Sequence, residues 1–94
     1  MANPQYRQLT ADTEASVDLG TNCGLVEVAI IAGTGTVYFN TTDTAIGPVA
    51  GNMDGNHAIS ATLPAKIVAD GTSGASSKVR LRSSGTPTVS VCGL

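Results

Sequence analysis

The stretch Lys78–Leu94, KVRLRSSGTPTVSVCGL, decides the fold class. Lys78, Arg80 and Arg82 alternate with Val79 and Leu81, and Val89 and Val91 alternate with Thr88, Ser90 and Cys92. A period of two marks a half-buried strand, because successive side chains leave a strand on opposite faces. Ser-Ser-Gly-Thr-Pro, residues 83–87, breaks the two runs with turn residues. Pro87 falls at the start of its run, where a missing N–H is tolerated. The spacing predicts a terminal strand pair, Lys78–Arg82 with Thr86–Cys92.

The same rhythm extends toward the N-terminus. LVEVAIIAG, Leu25–Gly33, sets Val26, Val28 and Ile30 on one face and Glu27, Ala29 and Ile31 on the other. AGTGT then turns the chain, and TVYFNTT, Thr36–Thr42, reads as its hairpin partner. Ala15–Leu19 reads as a first strand. HAISATL and AKIVAD read as two more, parted by Pro64, which marks an edge or a bend. IGPVAGNMDGN reads as a long loop, and Gly71–Ser77, GTSGASS, as a flexible connection. Thr10 or Thr13 could cap one short helical turn, but no stretch carries a sustained 3.6-residue apolar period. Residues 1–12 read as an extended N-terminal arm, with Tyr6 and Leu9 its only large apolar groups, and residues 13–94 as a single β-sandwich domain of about seven short strands.

Composition agrees. Twelve Thr, nine Val and five Ile among 94 residues suit pleated surfaces, and eleven Gly and four Pro punctuate them. With no Trp, one Phe and two Tyr, burial falls to aliphatic side chains, and a core this small leaves the monomer close to marginal. Self-association or docking on a larger partner would add burial. The formal net charge of -2, with 13% charged residues, is no basic footprint for nucleic acid. No apolar run reaches the length that spans a bilayer, and the first residues lack a signal-peptide pattern. The expectation is a protein made in a cytoplasm, with neither nucleic acid nor membrane as a partner.

Chemistry is sparse. One histidine, His57, and no G-x-S-x-G elbow leave no nucleophile with its base. The seven acids sit mostly in turns, and few aromatics could stack a sugar. Asn52, Asp54 and Asn56 alternate as in a calcium loop but lack its closing Glu, so an Asp-Gly turn is the better reading. The GxG of GTGTVY precedes no helix that could hold a phosphate. Cys23 and Cys92 share no metal spacing; a disulfide between them is open, and reduced thiols suit a cytoplasmic chain better. No catalytic, cofactor or metal residue is expected. Lys78, Arg80 and Arg82 share one strand face, which is either a solvated face that blunts edge pairing or a docking stripe for an acidic surface.

GTGTVYFNTTDT followed by SSKVRLRSSGTPTVSV resembles the small β-sandwich accessory structural proteins of tailed bacteriophages, over roughly Val26–Val91. The resemblance implies an all-β, antiparallel sandwich or jelly-roll-like domain with an extended arm. It implies a non-enzymatic virion component assembled in the host cytoplasm: a capsid decoration (cement), minor capsid or head-fibre protein. Decoration proteins bind the outer surface of the major capsid protein lattice, often as trimers, and stabilise the head. Tyr6, Arg7 and Leu9 of the arm, with Lys78, Arg80 and Arg82, are then the expected partner-binding residues. A tail, baseplate or fibre protein is the alternative within that class. A cellular ligand- or carbohydrate-binding β-module is the alternative outside it.

Overall fold

A computed structural model describes residues 4–48, 56–72 and 74–94. The described residues form eight strands and no helix: β1 (Gln5–Gln8), β2 (Ala15–Asp18), β3 (Leu25–Ala32), β4 (Val37–Asn40), β5 (His57–Ile59), β6 (Ala65–Ala69), β7 (Lys78–Ser83) and β8 (Thr88–Gly93). They make two four-stranded sheets, ordered β1-β8-β3-β6 (sheet A) and β2-β7-β4-β5 (sheet B). All neighbours run antiparallel. Strands from opposite ends of the chain meet: β1 with β8, β2 with β7, β3 with β6 and β4 with β5. That folded-in-half ribbon, rolled into two facing sheets, is a jelly roll.

Alternation fills the space between the sheets. Val26, Val28, Val68, Val89 and Val91 enter from sheet A, and Val17, Val37, Phe39, Ile59, Val79 and Leu81 from sheet B. Valine dominates because its branched side chain suits the pleat, and Phe39 supplies the one large ring.

Both expected hairpins are corrected. Leu25–Ala32 does not pair with Val37–Asn40, nor does β7 pair with β8; each connection crosses from one sheet to the other. The two crossings pack together at one corner. Gly33 (φ 82°) lies so close to Pro87 that a Cβ on it would stand 3.0 Å from the Pro87 Cα. A Cβ on Gly85 would stand 2.9 Å from the Thr34 carbonyl oxygen. Turn residues specify that the chain reverses. Whether the next strand bonds sideways or packs across the core depends on neighbours remote in sequence.

The arm is also corrected. Gln5–Gln8 is extended, but it is an edge strand in register with β8, from Gln5 opposite Val91 to Gln8 opposite Thr88. Leu9 donates its N–H to the Pro87 carbonyl and is only 2% exposed, inside the core cluster. In place of a helical turn capped by Thr10 or Thr13 stands a tight turn, with Asp12 at φ 55° and the Thr13 N–H on the Thr10 carbonyl. Residues 1–3 and most of the calcium-like loop, 49–55, lie outside the described residues.

Candidate interaction face

The outward faces of the two sheets differ sharply. On sheet B the outward positions of β7 are Lys78, Arg80 and Arg82, in register with Asp18, Ser16 and, on β4, Asn40 and Tyr38. The segment following β4 lies back over this face. Arg80 Nε bonds Asp43 Oδ1 at 2.9 Å, and its Nη1 bonds Glu14 Oε1 at 2.6 Å. Those two carboxylates, Asp43 first, raise the already high pKa of the guanidinium. The other Glu14 oxygen accepts the Ile46 N–H. Arg82 donates to the Ile46 carbonyl at 2.8 Å and to the Asp12 carbonyl at 2.6 Å. Asn40 holds the start of the strap, accepting from the Thr42 and Thr44 N–H groups and donating to the Thr44 carbonyl. Ile46 is buried here, apart from the main core cluster. The expected docking stripe is therefore largely internal: Arg80 and Arg82 fasten the chain to itself, and Lys78 remains half-buried beside them.

Sheet A carries no such cover among the described residues. The register places Tyr6, Ser90, Ala29 and Ala65 in one outward row, and Cys92, Glu27 and Ile67 in the next. Leu25 and Ala69 follow, with Leu94 bonded beside them through its N–H to the Leu25 carbonyl. Ile31, at the bulge of β3, and Leu63, just before β6, stand at the opposite rim. These account for every large exposed hydrophobic residue described: Tyr6, Leu25, Ile31, Leu63, Ile67 and Leu94, each between 47% and 59% exposed. Scattered apolar residues are ordinary on a protein surface, but here Tyr6, Leu25, Ile31, Ile67 and Leu94 belong to sheet A or its end, and Leu63 lies in the bend that enters it.

Glu27 is the one charged residue on this face among those described. None of the five cations shares it. Arg7 and Lys66 pair with Val89 and Val28, inward-facing positions on the two edge strands of sheet A. Lys78, Arg80 and Arg82 belong to sheet B. Inward-pointing charge on an edge strand blocks the addition of a further strand, so the edges are guarded where the face is open.

Of the residues expected to bind a partner, only Tyr6 lies on this face. Arg7 turns its guanidinium onto the Tyr6 carbonyl at the edge. Leu9 is a core residue, buried away from any partner. The missed residues are Leu25, Glu27, Ile31, Leu63, Ile67 and Leu94. Their outward placement depends on which face of each strand meets the core, and the exposure of Ile31 and Ile67 follows from sheet A being bare.

Another cluster binds the fold internally. Buried Ser77 donates to Asp70 Oδ2 at 2.7 Å and accepts the Cys23 N–H at 2.7 Å. Partial burial pushes the Asp70 carboxyl up, but the bonds from Ser77 and Thr72 outweigh it and hold the pKa below the ordinary value. Cys23 and Cys92 are not joined by a disulfide. Cys23 packs in the core cluster and Cys92 lies on the outward side of sheet A. Among the described residues no three His, Cys, Asp or Glu side chains gather to hold a metal ion. No protein-family model and no curated protein matches this chain.

Proposed function

We propose that this chain is a non-enzymatic structural protein of a virus particle. As a capsid decoration protein it docks on the outer surface of the major capsid protein lattice and reinforces the head. The carrying observation is the asymmetry between the sheets: one outward face is charged and strapped over by its own chain, the other is apolar and, among the described residues, uncovered. A jelly roll is a frequent architecture among viral capsid domains, which supports the reading by analogy, as does the sequence likeness to phage accessory proteins. Small apolar contacts repeated over a lattice act together, so each need be only modest.

Cryo-electron microscopy of the particle that carries the gene tests this. Density for the jelly roll at repeated positions over the shell is the expected result. Density confined to the tail or baseplate would move the protein to that structure, and absence from the particle would end the reading.

A further inference from the structure

We infer that the bare face of sheet A receives one kind of partner, an apolar protein surface that presents an arginine or lysine to Glu27. This inference rests on the structural-protein reading and names the chemistry of its contact. Glu27 sits on an inner strand between Cys92 and Ile67, near the middle of the apolar field. An ionised carboxylate enclosed by an interface loses its water, and only a counter-charge or strong donors restore the balance. No described Lys or Arg side chain reaches that face, so the counter-charge is assigned to the partner.

A second copy does not fit. Two sheets stacked about a two-fold axis through the centre of the face would bring both Glu27 carboxylates close together in an apolar layer, where like charges repel strongly. The size also argues against a stable dimer. Four strands spaced about 4.8 Å apart and about six residues long give roughly 400 Å² in plan, a small footprint for a stable pair. Such a contact is weak alone and effective when repeated on a lattice. Nor does the partner enter as an added strand, since Arg7 and Lys66 guard both edges.

The test uses the full chain and shells of the major capsid protein assembled without it. Bound protein is measured by co-sedimentation for the wild type, Glu27→Gln, Glu27→Arg, Ile67→Asp and Asp18→Arg, with urea midpoints confirming that each variant folds. The expected result is at least a tenfold loss of apparent affinity for Glu27→Gln and a greater loss for Glu27→Arg and Ile67→Asp. Asp18→Arg, on sheet B, binds as the wild type does. Wild-type binding that the Glu27 variants do not weaken would overturn the inference and leave the decoration reading standing. Failure of the wild type to bind shells would remove both. Sedimentation equilibrium of the chain alone should show a monomer; a dimer broken by Ile67→Asp would make a second copy the occupant and overturn the inference.

Discussion

Glu14 and Arg80, 66 positions apart in sequence, meet at 2.6 Å on the outer face of sheet B. Through that contact and the bond from Arg80 to Asp43, one guanidinium fastens both the entry to β2 and the segment leaving β4. Arg80→Ala should lower the urea midpoint and increase cleavage in the segment around Ile46 under limited proteolysis. The side chains are partly in water, so the difference should shrink in molar salt. An unchanged cleavage pattern would show that the strap holds without Arg80.

Leu9→Ala should cost about 2–5 kcal/mol of folding stability, as deletions from a packed core do. Tyr6→Ala, on the open face, should cost far less. Chemical denaturation of the two variants separates a core residue from a surface residue within one short stretch. Comparable midpoints would contradict the burial of Leu9.

Gly33→Ala should destabilise by about 1–2 kcal/mol from its left-handed backbone alone. The 3.0 Å approach to Pro87 adds to that. The loss should appear as a lower melting temperature with the same circular-dichroism spectrum. Gly20→Ala has a similar φ but open space around the new methyl, so it should lose less; an equal loss in both would mean that the corner contact carries no weight.

Ser77→Ala removes a buried hydroxyl that serves both Asp70 and the Cys23 N–H, and should cost about 1–3 kcal/mol. The pH dependence follows from Asp70, whose folded pKa lies below the ordinary value of 3.8. Its contribution is complete above pH 3.8 and is lost as the pH falls through the lower folded value. Urea midpoints taken from neutral pH down into this acid range should fall less steeply for Asp70→Asn and Ser77→Ala than for the wild type. Parallel acid limbs would rule Asp70 out as the group responsible.

The fold class was legible because it rests on alternation, and alternation is local. Val26, Val28 and Ile30, or Val79 and Leu81, declare their strands without help from the rest of the chain. The pairing was not legible. GTGT and SSGTP have the composition of hairpin turns, yet each joins strands in different sheets, since the neighbours of β3 are β8 and β6 and those of β4 are β7 and β5. The open face was hidden for the same reason. Ile67 and Val68 read alike in the sequence, and only the register with Glu27 and Val26 sends one outward and the other into the core. Lys78, Arg80 and Arg82 were correctly placed on one face, but their partners Glu14, Asp43 and Ile46 come from elsewhere in the chain.

The place of β8 between β1 and β3 bears on how the molecule forms. Neither of those strands has its shared neighbour until Thr88–Gly93 has been made, so sheet A cannot zip up progressively as synthesis proceeds. β3 and β6 can pair first, but β1 and the far edge of β3 must wait for a closure over long sequence distances, which makes for slow folding and a window open to aggregation.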